Sequence, residues 1–372
     1  MAIPYKDFIH PADKKALDAL KALPGFDLVL KKLLSVVTEK MFKIQNTSSF
    51  LRLGPDQLPE IYNILVKVCK RLEVDVPDLY LALDRTPNAY TAGDTDVFVV
   101  LHSGLLETLS LDQIETVIAH EVGHIVCHHV LYRTMANLII QGAEFFVSGL
   151  IGNTVLATIK YAFFYWMRCS EYSADRVAAY YYGDSDPVVE LMMTFSGATK
   201  NLDFEFSKDA YLKQAVNYKS LIDNSRYNKT LEFLQMGLLS HPYNASRAYE
   251  INEFYKDNET LLLESKEVTQ EVAALVEKEF NLRIRYEYIR QKGLLKFGSM
   301  FDIHPLEVKV GKKKYSINKN DAIDMRLNSG EHDITFDNDH KKQKYHIELN
   351  KDTSIIVTYD FNTEQLTIVE EY

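Results

Sequence analysis

The stretch His120-Glu121-Val122-Gly123-His124 decides how this chain reads. Side chains four apart on an α-helix lie one above the other, so His120 and His124 can aim two imidazoles at one metal ion. Glu121 then sits on the adjoining edge, where it reaches a water on the metal rather than the metal itself. Two ligands and a general base within five residues is the layout of a zinc hydrolase. The surrounding sequence predicts the helix this requires. Leu111, Ile114, Val117, Ile118, Val122, Ile125 and Val126 form a broad apolar stripe, Ser110 and Gln113 make a capping-box pattern, and no proline falls between Leu111 and Met135.

A catalytic zinc site with an open position needs a third protein ligand. A third histidine six residues beyond His124, with a glycine between, is excluded, because Cys127 and Val130 occupy those positions. His128 continues the histidine face, but three stacked side chains cannot converge on one point, so His128 and His129 read as polar helix surface or as groups behind the ligands. A better candidate lies in Arg168-Cys169-Ser170-Glu171-Tyr172-Ser173-Ala174-Asp175-Arg176. Glu171 and Asp175 share a helix face; Glu171 can bind zinc while Asp175 accepts the free ring N–H of a ligand histidine. Glu-x-x-x-Asp alone also suits a solvated helix, and its weight here comes from following an H-E-x-x-H helix.

In these blocks, and in their order, the chain resembles the HtpX-like and CAAX-prenyl-endopeptidase-like zinc metallopeptidases of the gluzincin group. The resemblance runs from about Asn88 to Arg247. Asn88-Ala89-Tyr90 with Gly93 looks like the family's substrate-binding edge strand. Ser103-Gly104-Leu105-Leu106 and Ile118 to Ile125 look like its metal helix, Arg168 to Ala178 like its glutamate helix, and His241-Pro242 with Arg247 like its C-terminal signature. The resemblance implies that His241 stabilises the oxyanion, that Arg247 pairs with acidic groups near the site, and that Asn88, Ala89 and Tyr90 hold substrate backbone. Read from the residues alone, His241 also suits a loop ahead of a helix start, and Asn88 a turn after Pro87.

Composition bounds the setting. The 372 residues, 47% hydrophobic and 25% charged, suit a folded protein of two or three domains. A net charge of −10 argues against nucleic acid as a partner. Cys69, Cys127 and Cys169 have no metal spacing and leave an odd count, which disfavours a disulfide framework and favours a reducing compartment. Met1 to Asp7 holds no apolar signal core. The expected location is the cytoplasm, with membrane association as the variant reading.

The expected fold class is α+β. Residues 1–75 read as an N-terminal helical region, with Leu28, Val29, Leu30, Leu33, Leu34, Val37 and Met41 as one amphipathic stripe and a second helix from Pro59 to Leu72. Residues 76–257 read as a mostly helical metallopeptidase domain with a small antiparallel sheet that includes a strand at Leu79 to Leu83. Within it, 134–167 reads as two buried helices, broken near the middle by Gly142, Gly149, Gly152, Asn153 and Thr154, or as a helical hairpin that dips into a membrane or closes over the active site. The uncharged run Phe145 to Ile159 is shorter than the roughly 18–20 residues a span needs. Residues 258–296 read as a linking helix, and 297–372 as an antiparallel β-domain holding dispersed histidines (His304, His332, His340, His346) and no catalytic constellation.

The expected function is that of an endopeptidase with one Zn²⁺ per chain, acting on polypeptide; the oligomeric state is not encoded in any motif. His120, His124 and Glu171 bind the metal, which brings the pKa of its water toward ~7, and Glu121 takes that proton and passes it to the leaving amine. The competing reading is a zinc-binding quality-control or chaperone-like module with little or no peptidase activity. Glu121 counts against a purely structural site, which needs no base.

Overall fold

The computed structural model of the chain describes residues 5–36, 39–139, 153–199, 205–237, 239–276, 279–289, 305–311, 313–328, 330–349, 351–360 and 363–371. Two compact units divide it, Met1–Val272 and Ala273–Tyr372.

The first unit opens with α1 (Tyr5–Phe8), α2 (Pro11–Lys21), α3 (Phe26–Val36) and α4 (Glu39–Ser49). Pro11 occupies a first-turn position of α2, and His10 caps the helix by accepting the Ala12 N–H at Nδ1, 3.1 Å. The stripe expected on one helix is shared between α3 and α4; Val29 and Leu33 are buried while Leu28 and Met41 are exposed. Next come β1 (Leu51–Leu53), α5 (Pro59–Arg71), β2 (Asp78–Ala82), β3 (Ala89–Ala92) and β4 (Phe98–His102). Their sheet has the order β1-β2-β4-β3, and β2 with β4 is parallel, so it is mixed rather than wholly antiparallel. The reason lies in β4. Phe98, Val99, Val100 and Leu101 are all buried, so this strand takes a central place between β2 and β3. That leaves β3 as an edge, and α7 (Leu111–Val126) and α8 (Val130–Leu138) pack against it after the short α6 (Ser103–Thr108).

The expected capping box forms at the start of α7, with Ser110 Oγ accepting from Gln113 N and Gln113 Oε1 accepting from Ser110 N. The helix stops where His128 adopts a left-handed φ of 57°. Of the expected break, Gly142, Gly149 and Gly152 lie outside the described residues, whereas Asn153 and Thr154 are the first residues of a helix rather than part of a break. This helix, α9 (Asn153–Tyr182), runs for 30 residues. The aromatic run Tyr161 to Trp166 and the Glu171–Asp175 pair are therefore on one continuous helix, because no glycine or proline interrupts it. Among the described residues, no helix is long and apolar enough to cross a membrane. The unit continues with α10 (Asp186–Phe195), α11 (Lys208–Asp223), α12 (Arg226–Met236), α13 (Asn244–Asp257) and α14 (Glu259–Val276), whose last residues pass the unit boundary.

The α7–α9 crossing positions the site. A Cβ on Gly123 would stand 2.9 Å from the Ala174 carbonyl oxygen and 3.1 Å from its Cα. The glycine of the H-E-x-x-H segment thus lets the two backbones touch, bringing the histidines within reach of Glu171.

The second unit holds β5 (Glu279–Ile289), β6 (Leu306–Val310), β7 (Lys313–Ile317), β8 (Asp321–Asn328), β9 (Gly330–Asp337), β10 (Lys342–Leu349), β11 (Thr353–Asp360) and β12 (Gln365–Glu371). They form two sheets, β10-β9-β6-β7 and β12-β11-β5-β8, sharing one core that includes Ile284, Tyr286, Val308, Phe336, Leu349 and Val357. Two expectations change here. The stretch 258–296 is not one linking helix: α14 ends at Val276, and β5 follows. In β5, Phe280, Leu282, Ile284, Tyr286 and Tyr288 alternate with polar residues, a period of two that buries one face. The sheet is also not wholly antiparallel, since β5 and β11 pair in parallel. Strands this far apart in sequence are not bound by hairpin geometry. The expected onset at Phe297, and His304, lie outside the described residues.

Candidate metal centre

His120 and His124 project from the C-terminal half of α7, His124 from its last turn, and Glu171 meets them from α9. One donor atom from each lies within 4.8 Å of the other two, and all three residues are buried. His120 Nε2 is 3.4 Å from Glu171 Oε2, and His124 Nε2 is 3.4 Å from Glu171 Oε1. His124 Nε2 is buried without a hydrogen-bond partner. An orphaned imidazole nitrogen costs free energy in a protein interior, and a two-nitrogen, one-carboxylate set suits zinc, so the residues present fit this metal.

A second ring of groups surrounds the trio. Asp175, one turn beyond Glu171, has Oδ1 2.9 Å from His120 Nδ1. Arg247, from the first turn of α13, grips Asp175 with two bonds, Nε to Oδ2 at 2.8 Å and Nη2 to Oδ1 at 2.6 Å. Behind His124 stands His129, with the two Nδ1 atoms 3.0 Å apart, and His129 Nε2 is 2.9 Å from Asp13 Oδ2 on α2. Arg133, on α8, donates from Nη1 to Glu171 Oε1 at 2.6 Å. His241 Nδ1 is 2.7 Å from Glu171 Oε2, and its side chain is 39% exposed, unlike the trio beneath it.

These contacts set the charges. Burial disfavours ionised Glu171, yet His241 and Arg133 hold its carboxyl well below the usual range. Burial likewise opposes charge on Asp175, but Arg247 overrides it and lowers that carboxyl. His120 is pushed down by burial and up by Asp175 and Glu171, and rises to about 9. His124 moves the other way: burial, reinforced by Arg133, lowers it well below an ordinary histidine, leaving a neutral ring.

Glu121 is buried beside the trio. Thr91, on edge strand β3, donates from Oγ1 to Glu121 Oε2 at 2.7 Å. A cavity of about 200 Å³ opens over this point, lined by Asn88, Ala89, His120, Glu121, Glu171, His241 and Arg247. A neighbouring cavity of about 360 Å³ shares Asn88, Ala89 and His241 and adds Tyr90 and Arg133. The Asn88 carbonyl accepts from His102 N at 2.9 Å, tying the residue ahead of β3 to the end of β4, and Asn88 lines both cavities. A larger cleft of about 870 Å³, near Asp75 and Phe98, touches the C-terminal end of α7 at Ile125 and Val126 but none of the trio.

Of the candidate site residues, Asn88, Ala89, His120, Glu121, Glu171, His241 and Arg247 line one cavity, Tyr90 lines its neighbour, and His124 and Asp175 stand behind them against Glu171 and His120. The structure adds four that sequence reasoning had not singled out as site residues: Asp13, Thr91, His129 (read only as helix surface or a group behind the ligands) and Arg133. Thr91 could have been found by extending the edge strand one residue past Tyr90. Asp13 carries no local signal, since it lies more than a hundred positions from the residue it touches. His128, in contrast, turns outward and meets the Tyr5 ring edge-on, with centroids 5.1 Å apart.

An H-E-x-x-H helix crossed by a glutamate helix beside an edge strand is the architecture of a metalloprotease. Comparison with known proteins agrees. The profile of Peptidase family M48 matches residues 55–254. The protein of Arabidopsis thaliana called plastoglobule-localized metallopeptidase 48, chloroplastic, is 31% identical over 255 residues, 68% of this chain and 73% of that one. A protease HtpX homolog of Thermococcus sibiricus is 33% identical over 102 residues, 27% of this chain and 35% of its own length. Protease HtpX of a Psychrobacter species is 22% identical over 151 residues, 40% of this chain and 50% of that protein. No solved structure matches. The chain belongs to peptidase family M48, and the resemblance to HtpX-like metallopeptidases drawn from its motifs is borne out.

Proposed function

We propose that this metallopeptidase is a zinc-dependent endopeptidase with one zinc per chain, held by His120, His124 and Glu171. The observation that carries this reading is the convergence of three buried donor atoms within 4.8 Å, one of them the unpartnered Nε2 of His124. Zinc, when bound, supplies a Lewis acid that activates water and polarises a carbonyl. Glu121 takes a proton from the attacking water and delivers it to the leaving amine nitrogen. The Thr91 hydroxyl holds the Glu121 carboxylate in place for both transfers. Asp175, itself gripped by Arg247, orients His120. His241, half-exposed on the cleft wall, donates to the oxyanion that forms on the substrate. Substrate lies as an added strand along Ala89 and Tyr90, with Asn88 contacting its backbone. Main-chain bonding of this kind accepts many sequences.

The test compares wild type with Glu121→Gln, by metal analysis and by cleavage of a panel of unfolded proteins. Both proteins should carry zinc near one per chain, and the glutamine variant should lose at least ~100-fold in cleavage rate. Retention of the wild-type rate would exclude Glu121 as the base. A wild-type, zinc-loaded protein that binds unfolded chains and cleaves none would favour the quality-control module instead. His124→Ala should lose the metal while His128→Ala keeps it.

The three cysteines are free and buried, which suits a reducing compartment such as the cytoplasm. Contact with a lipid surface through 134–167 is supported by Val155, Tyr161 and Tyr165, exposed on α9, and by the plastoglobule relative's name. Loss of vesicle co-flotation in a Tyr161→Ser, Tyr165→Ser variant is the expected result; unchanged flotation excludes this face.

A further inference from the structure

We propose that Asp13 and His129 form a proton-ordering relay that fixes His124 in the tautomer able to hold zinc at Nε2. The N-terminal helix α2 would thereby be a working part of the metal centre. This rests on the reading that His120, His124 and Glu171 hold zinc.

The argument follows the donors inward from Asp13. The indole N–H of Trp166 can only donate, and it lies 2.9 Å from Asp13 Oδ1. Ser173 Oγ already accepts the His10 N–H and donates to Asp13 Oδ2 at 2.6 Å. His129 Nε2 stands 2.9 Å from the same Oδ2. Asp13, ringed by these donors, is an acceptor only, so the His129 proton sits on Nε2. A His129 ring whose one proton is on Nε2 presents a lone pair at Nδ1. His124 Nδ1, 3.0 Å away, must supply the proton for that contact. With Nδ1 protonated, the remaining lone pair of His124 is on Nε2, the atom that is buried without a partner beside Glu171.

The opposite arrangement defeats the site. A proton on His129 Nδ1 would donate to His124 Nδ1, force the His124 proton onto Nε2, and block it as a ligand. The relay is sealed from solvent, with Asp13, His129, His124, Ser173 and Trp166 all 2% exposed or less. Water therefore cannot substitute for a missing partner. Helix α9 organises both sides of the centre: Asp175 behind His120, and Trp166 with Ser173 behind the Asp13 that serves His124.

Asp13→Asn tests the direction of the relay with almost no change of shape. The Trp166 N–H requires the amide oxygen at its side, which turns the amide NH₂ toward His129 Nε2. That reverses the relay. Chelator competition should show zinc affinity weakened by about 10–100-fold. Asp18→Asn, on the same helix at an exposed Lys14 pair, should bind zinc as wild type does. ¹⁵N-histidine NMR of zinc-loaded wild type should find the ring proton of His124 on Nδ1 and that of His129 on Nε2. This measurement stands even if Asp13→Asn does not fold. A proton on His129 Nδ1, or a folded Asp13→Asn protein with wild-type zinc affinity, overturns the proposal. A wild-type chain that takes up no zinc overturns the metal reading beneath it, a different and separately visible result.

Discussion

Around the proposed metal ligands, second partners decide whether a side chain can serve. Asp175 spends one oxygen on His120 and both on Arg247, so His120 is oriented by a carboxylate that is itself immobilised. Asp175→Ala is expected to weaken zinc binding by about 10–100-fold without abolishing it, and a chelator titration reads this directly. An unchanged affinity would show that His120 needs no orienting group. Thr91 makes a parallel case at the base. Thr91→Val keeps the shape of the edge strand but removes the hydroxyl from Glu121 Oε2. The expected outcome is about a tenfold lower kcat with zinc content unchanged, the size of one lost hydrogen bond of ~1–1.5 kcal/mol. A fall in zinc content instead would mean that Thr91 supports the ligands. His120, Glu121, His124 and Glu171 were legible as candidates in two short segments because helix periodicity converts spacing into direction. Thr91 and Arg133 were not, because each acts through a contact between separate elements.

At the scale of elements, the site depends on how closely α7 and α9 approach. Gly123→Ala would place a methyl against the Ala174 backbone, which has no side-chain freedom to yield. Overpacking of this kind costs about 1–3 kcal/mol, and here the same displacement separates the histidines from Glu171. Denaturant unfolding should show the lost stability, and metal analysis a lowered zinc content; a fully stable, zinc-replete variant would contradict the close packing. Helix α13 is pinned in a different way. Glu250 meets His10 Nε2 at 3.4 Å and Lys219 Nζ at 3.1 Å. The bond from His10, then that from Lys219, outweighs partial burial and lowers the Glu250 carboxyl to about 2. A folded value below the unfolded one stabilises the protein above the ordinary glutamate range, and that stability is lost as pH falls from about 4.5 toward 2. Glu250→Gln should therefore cost roughly 1–2 kcal/mol at pH 7, allowing for solvent screening at this partly exposed site, and should flatten the acid limb between those values. Equal acid sensitivity in both proteins would rule the cluster out. The existence of α7, α5 and the β6–β7 hairpin was legible from periodicity and caps. The start of α9 was misplaced, because Asn153 and Thr154, read as part of a break, are its first two residues.

Across the whole molecule, the division falls between Val272 and Ala273, so β5 belongs to the strand-rich unit. A chain ended at Val276 should keep zinc and the cleavage of a short unstructured peptide, since every proposed site residue precedes that point. A chain ended at residue 296 should instead aggregate, because it keeps Leu282, Ile284 and Tyr286 on a strand stripped of β8 and β11. Size-exclusion chromatography separates the two outcomes; loss of all peptide cleavage in a folded, zinc-loaded Val276 truncation would mean that the second unit completes the active site. The sequence by itself determined the H-E-x-x-H helix, the helix that carries Glu171 and the alternating strands. These are local matters, in which spacing along the chain dictates which face a side chain occupies. Only the tertiary structure decided that Asp13 stands behind His129, that Arg133 and His241 share Glu171, and that β4 separates β2 from β3. Those contacts join residues far apart in sequence, and burial chooses them by what the whole core can satisfy, which no window of sequence contains.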